Sequence, residues 1–185
     1  ADQVLVEMLQ DHAAVLVTGP RATGKTTSCE QHARTNIRLG DKAVADAFRA
    51  GPSAVLSGRD QPILVDEWQE VPVSLQAIKI AVDANPGRGQ FLVTGSVRGD
   101  IDAPTWPGTG RLIRLPMYGL TEREIARRVG HQSWLNSVLS GKPVPLHRSE
   151  TDVRGYVRRA LRSGFPEPAL MTSDRGRARW LTSYV

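Results

Sequence analysis

Short apolar runs alternate with amphipathic stretches through residues 3–115. Residues 3–9 place Val4, Leu5, Met8 and Leu9 at i, i+1, i+4 and i+5, the spacing of a short amphipathic helix. Residues 13–18 form a continuous apolar run ending at Thr18 and predict a buried strand. Residues 25–34 predict the helix that follows, 37–39 a second strand, and 44–50 a helix ended by Gly51 and Pro52. Pro62 opens another run, 63–66, that finishes in acids. Residues 73–82 carry Leu75, Ile78 and Val82 at helical spacing, with Asn85, Pro86 and Gly87 closing the helix. Apolar runs at 91–94 and 112–115 complete the series. Strands alternating with helices predict a three-layer α/β domain around a mainly parallel sheet.

Beyond Pro116 the strand pattern stops. Thr121-Glu122-Arg123-Glu124 has the form of a capping box and predicts a helix over residues 121–128. Further helices are predicted at 133–139 and 151–162. In the last of these Val153, Val157, Ala160 and Leu161 share one face, and Arg154, Arg158 and Arg162 share another. Residues 99–110, with three Gly and two Pro, read as the most loop-like segment. The chain therefore divides into an α/β core at 1–117 and a small helical subdomain at 118–185. Neither an internal repeat nor a low-complexity tract is visible.

A chain of 185 residues, 40% of them hydrophobic, suits one domain, or one domain and the beginning of another. The apolar runs are far too short to cross a bilayer, so no membrane partner is expected. No secretory pattern stands at the start, although residue 1 is Ala and a removed leader is compatible with that. The single Cys29 excludes an internal disulfide and fits the reducing cytoplasm. Four His residues without close Cys or paired-acid neighbours argue against a structural zinc site. The net charge of +5 is uneven: residues 1–100 carry 10 basic and 12 acidic side chains, and residues 101–185 carry 14 and 7. Such asymmetry marks either a surface that meets nucleic acid or an acidic partner, or simply a solvated Arg-rich surface.

The most specific chemistry lies in Gly19-Pro20-Arg21-Ala22-Thr23-Gly24-Lys25-Thr26, which matches G-x-x-x-x-G-K-[ST] at every fixed position. The glycines let the backbone curl so that successive N–H groups face phosphate oxygens, and the helix that follows adds its N-terminal dipole. Residues 19–26, with Thr27 beside them, are the candidate nucleotide-binding set. Lys25 is expected to reach the β- and γ-phosphates of ATP, and Thr26 to ligate Mg²⁺. A Gly-rich turn matching by accident is the competing explanation, and the predicted strand before it and helix after it favour the loop.

Ile63–Asp66 followed by Glu67 is an apolar strand ending in two carboxylates. Beside a phosphate loop, Asp66 is placed to hold the metal and Glu67 to act as general base towards a water. Phe91–Ser96 ends in hydroxyls instead. Ser96, in preference to Thr94, is the candidate for sensing or orienting that water. Solvent-facing acids and an ordinary strand-to-turn transition are the plainer readings of these two strand ends.

The three segments, in this order and spacing, resemble the AAA+ superfamily of P-loop ATPases. The likeness is closest to the prokaryotic branch labelled AAA_14, found in chains with a DUF4143 C-terminal region. It rests on GPRATGKTT, ILVDEWQEVP, LQAIKIAVD, FLVTGS and GRLIRLPMYGLTERE. Towards the end, GFPEPAL and RARWLTSYV look like the passage into a second domain, so the resemblance implies a chain that continues past Val185. It further implies that the FLVTGS strand lies between the phosphate-loop strand and the Asp66–Glu67 strand, with Ser96 near the γ-phosphate. Arg111, with Arg114 as second choice, is implied as an arginine finger acting on the nucleotide of a neighbouring copy in a homo-oligomer. Arg154, Arg158 and Arg159 occupy the region of a second sensor arginine, but a solvated helix face accounts better for each.

The expected function is Mg²⁺-dependent ATP binding and hydrolysis coupled to conformational change. One alternative is a nucleotide-gated module that contacts nucleic acid or protein through the basic half, with little turnover. Another is a small-molecule P-loop kinase, which the adjacent Asp-Glu pair and the separate hydroxyl-ended strand disfavour, because both suit water as acceptor.

Overall fold

The computed structural model describes residues 2–96, 110–127, 134–143 and 151–184. They fall into two compact units, Ala1–Tyr118 and Gly119–Val185.

In the first unit the described strands form one five-stranded sheet: β1 (Ala14–Gly19), β2 (Thr35–Arg38), β3 (Ile63–Asp66), β4 (Phe91–Ser96) and β5 (Leu112–Pro116). Their order is β2-β3-β4-β1-β5, and every pairing is parallel. Parallel neighbours need crossover helices on the faces, which explains why the central strands read as unbroken apolar runs. All of β1 and β3 is buried.

Period-two alternation sorts the core into two layers. Leu16, Val65 and Val93 pack with Ala45 and Phe48 of α3 (Lys42–Ala50), Leu56 of α4 (Pro52–Leu56), and Leu75 and Ile78 of α5 (Val73–Ala84). Val15, Val17, Leu64 and Leu92 pack on the other side with Leu5 of α1 (Asp2–Asp11) and Cys29 of α2 (Lys25–Glu30). The result is the three-layer α/β sandwich expected from the sequence.

Boundaries moved where hydrogen bonding overrode pattern. The helix expected over 25–34 stops at Glu30, because Arg34 N–H donates to Pro62 C=O (2.9 Å) and draws the chain into β2 alongside β3. Gly51-Pro52 not only ends α3 but begins α4, since proline at the first helical position needs no N–H donor. Asp41 caps α3 through Ala43 N–H (2.8 Å) and Val44 N–H (3.3 Å), an arrangement worth about 1 kcal/mol.

The second unit is helical in its described parts: α6 (Glu122–Ile125), α7 (Trp134–Leu139), α8 (Val153–Arg162), α9 (Pro166–Leu170) and α10 (Asp174–Tyr184). The capping box forms, with Glu124 accepting from Thr121 N–H (2.8 Å) and Thr121 Oγ1 accepting from Glu124 N–H (3.3 Å). Phe165, Trp180 and Tyr184 make an aromatic cluster with ring centroids 4.6–5.4 Å apart. Of the loop expected over 99–110, all but Gly110 lies outside the described residues. No helix among the described residues is long and apolar enough to cross a membrane.

Candidate functional site

β1 delivers the chain to residues 19–26 at the C-terminal edge of the sheet, and α2 starts at Lys25. Two glycines are required here. Gly19 has φ 152°, and a Cβ there would collide with Met117 C=O, because Met117 N–H donates to Thr18 C=O (2.7 Å) as the chain leaves β5. Gly24 has φ 91°, and Ala22 before it has φ 60°; left-handed residues in such a loop turn backbone N–H groups towards a common concavity. Thr23 is buried and pins the loop by donating to Pro20 C=O (2.9 Å). Pro20, Arg21 and Thr27 are exposed around it.

Lys25 is buried, with its ammonium donating to Gly19 C=O (3.0 Å) and Pro20 C=O (2.6 Å). Burial pushes its pKa below the ordinary lysine value, and the Asp66 and Glu67 carboxylates oppose that shift. The ammonium thus lies inside the loop, held by two carbonyls that an incoming anion would replace.

Asp66 continues the face of β3 that carries Leu64, and so faces α2. Its Oδ1 accepts from Thr26 Oγ1 (2.9 Å) and from Thr94 Oγ1. Thr26, Asp66 and Thr94 come from α2, β3 and β4, and the sheet order that puts β4 between β1 and β3 is what lets them converge. A hydroxyl and a carboxylate at this spacing are hard oxygen donors of the kind Mg²⁺ takes, one or two from protein and the rest from phosphate and water. These residues fit that ion. Among the described residues no group of three or more His, Cys, Asp or Glu could hold a metal by itself.

Ser96 lies two residues beyond Thr94 on the same face and is level with Gly19, the first residue of the loop. Val65 pairs with Val93, so Thr94 is the hydroxyl level with Asp66, and Ser96 projects past the end of β3. Sequence reasoning ranked Thr94 second. The signal that separates the two is strand register, which a single sequence does not display.

Glu67 is exposed and has φ 57° and ψ 49°, a left-handed conformation unusual for a residue with a side chain, as the chain turns into the short 3-10 helix Trp68–Glu70. Its carboxylate lies against Gly40, where a Cβ would collide with Oε2. Gly40 follows β2, the strand on the far side of β3 from β4 and β1. The structure therefore gathers Lys25, Thr26, Asp66 and Thr94, and sets the Glu67 carboxylate to one side of them.

Arg111 is elsewhere. It precedes Leu112, which pairs with Ala14 at the start of β1, so it sits at the edge of the sheet opposite its own phosphate loop. Its Nε donates to Asp83 Oδ1 of α5 (2.7 Å), and that ion pair holds the Asp83 carboxyl below its ordinary pKa. Arg114 lies midway along β5 with its side chain exposed.

Comparison with known proteins agrees with this architecture. The AAA_14 family profile, described as an AAA domain, matches residues 11–126. The chain is also similar to an uncharacterised protein of Mycobacterium bovis and to one of Mycobacterium tuberculosis, at 30% identity over 129 residues in each case. The aligned stretch is 68% of this chain and 29% of each relative, so the similarity spans less than a third of the relatives' length.

Proposed function

The chain belongs to the AAA_14 family of AAA domains, and from that premise we propose that it binds ATP with Mg²⁺ and hydrolyses the γ-phosphate bond, using the energy to change conformation. The observation that carries this reading is the meeting of Thr26 and Asp66, 40 residues apart in sequence, beside a loop whose own lysine is folded into it.

The residues divide the work by position. Backbone N–H groups of residues 19–26 and the start of α2 bind the phosphate chain. Lys25 exchanges the Gly19 and Pro20 carbonyls for phosphate oxygens and supplies positive charge where the transferred group develops negative charge. Thr26 and Asp66 would hold magnesium, which would supply positive charge to offset that of the phosphates. Thr94 fixes the Asp66 carboxylate. Glu67, turned towards the phosphates from its place beside Gly40, accepts a proton from the attacking water, and Ser96 helps to orient that water. Arg111 is proposed to serve a neighbouring copy's nucleotide in a homo-oligomer, since its own loop lies at the other edge of the sheet.

Titrating the chain with Mg²⁺-ATP by calorimetry tests this reading. Wild type should give a saturable heat that Lys25→Ala reduces at least tenfold in affinity. No heat from the wild type with ATP or GTP would overturn it.

A further inference from the structure

Four arginines, Arg158, Arg159 and Arg162 of α8 and Arg177 of α10, line a cavity of about 450 Å³ within the second unit. The three on α8 follow i, i+1 and i+4 spacing and so fall on one side of the helix. Cations gathered around a concavity repel one another unless something offsets them.

The protein's own acids engage three of the four. Arg177 donates to Asp174 Oδ1 (2.6 Å) and, through Nε and its second terminal nitrogen, to Pro168 C=O (3.0 Å) and Met171 C=O (2.7 Å), which fixes it as a rigid wall. Arg162 donates to both oxygens of Glu122 (2.8 Å each). Arg159 shares that carboxylate at 3.8 Å and donates to Thr151 Oγ1 (2.7 Å). Arg158 has neither a hydrogen bond nor an ionic partner among the described residues.

The carboxylates at the cavity are engaged elsewhere than with Arg158. Asp152 Oδ1 takes the Gly155 N–H (2.7 Å) as the cap of α8, and Asp174 Oδ1 accepts from Arg177. What remains is the exposed Arg158 guanidinium at a pocket that is concave, walled by two helices and of a size that suits a small ligand. A nucleic-acid duplex needs an extended surface instead. Planar guanidinium groups match the oxygens of phosphate in geometry as well as charge.

We propose that this cavity binds a small phosphorylated anion, a polyphosphate or a phosphate ester, with Arg158 as its principal donor. All of its lining belongs to the second unit, and its existence does not depend on ATP hydrolysis at the phosphate loop.

The test uses the full chain carrying Lys25→Ala, so that the phosphate loop contributes little, and measures calorimetric binding of sodium pyrophosphate and of ribose 5-phosphate. At least one probe should bind, and adding Arg158→Glu should weaken it tenfold or more. Arg158 is exposed and unpartnered, so an unchanged melting temperature separates lost binding from lost folding. Which probe binds tells a free polyphosphate from a phosphate ester. The proposal is overturned if neither probe binds the Lys25→Ala chain, or if Arg158→Glu leaves the affinity as it was. It is equally overturned if only a DNA oligonucleotide binds with dependence on Arg158.

Discussion

The Thr94 hydroxyl donates to the same Asp66 oxygen that accepts from Thr26. Removing Thr94 therefore frees the carboxylate proposed to face the metal, without touching the phosphate loop. Outer partners of metal-ligating groups typically contribute 10- to 100-fold in metal affinity. Thr94→Val, close to Thr in shape, should raise the magnesium concentration for half-maximal turnover by about that factor. Ser96→Ala, one step further along the face, should lower kcat instead and leave the magnesium requirement alone. Magnesium titrations of the two variants check this. An unchanged magnesium requirement in Thr94→Val would remove Thr94 from the metal's support.

Glu67 combines a proposed chemical role with an unfavourable backbone. A left-handed conformation costs a residue with a side chain about 1 kcal/mol, whereas Asn tolerates it better. Glu67→Asn should consequently raise the melting temperature by about 2–4 °C while abolishing turnover. Glu67→Gln should keep Mg²⁺-ATP affinity within about threefold of wild type and lose 100-fold or more in kcat, the usual scale of a lost general base. Turnover persisting in Glu67→Gln would exclude the residue as base.

How much of this could be read without coordinates depended on what set each feature. The central strands were legible because burial on both faces leaves them uniformly apolar, as at residues 14–17 and 63–65. The loop was legible because its chemistry fixes four positions within eight residues. Register was not, and register is what brings Thr94 rather than Ser96 level with Asp66. Nor was the turn after Asp66, since adjacent acids at a strand end do not reveal that Glu67 adopts a left-handed backbone beside Gly40. Pro52 misled for a physical reason: the same missing N–H that ends one helix suits the first position of the next. In the second unit the helix and its face of Arg154, Arg158 and Arg162 could be read from spacing. The cavity could not, because it exists only where α10 brings Asp174 and Arg177 alongside.

Arg111, one residue before the partner of Ala14, stands six strand residues back from the level of Gly19, roughly 20 Å at the rise of a β-strand. A role on the nucleotide accordingly requires another copy. Turnover per chain should rise with protein concentration, and Arg111→Ala should reduce it by about 10³-fold or more if the group acts as a finger. Mixing Arg111→Ala chains with Lys25→Ala chains should restore activity, because each supplies what the other lacks. Lowering the pH works in the same direction as freeing Arg111. Asp83, whose pKa the Arg111 hydrogen bond depresses, contributes its share of stability above its ordinary value of 3.8 and loses it as pH falls through the lowered pKa. No complementation in the mixture, at any concentration, would confine Arg111 to its pairing with Asp83.

Cys29 offers a readout of nucleotide binding that needs no turnover. It is fully buried on α2 beneath the phosphate loop, and burial, reinforced by the nearby Asp66 charge, pushes its thiol up to about 12. The thiolate is the reactive form, so iodoacetamide at pH 8 should label the native chain only through opening of the fold. Between pH 9.0 and about 12 the unfolded chain releases a proton that the folded chain keeps, and stability should fall as pH rises across that interval. Ligand that binds only the folded state stabilises it by RT ln(1 + [L]/Kd). When reclosing outpaces labelling, Mg²⁺-ATP at 100 times its Kd should slow labelling about 100-fold. Mass spectrometry of time points with and without Mg²⁺-ATP measures the ratio. The Lys25→Ala chain, its affinity reduced at least tenfold, should show no more than about 11-fold protection at that ATP concentration, because the same helix would then carry the reporter thiol without the ammonium that ties phosphate to it.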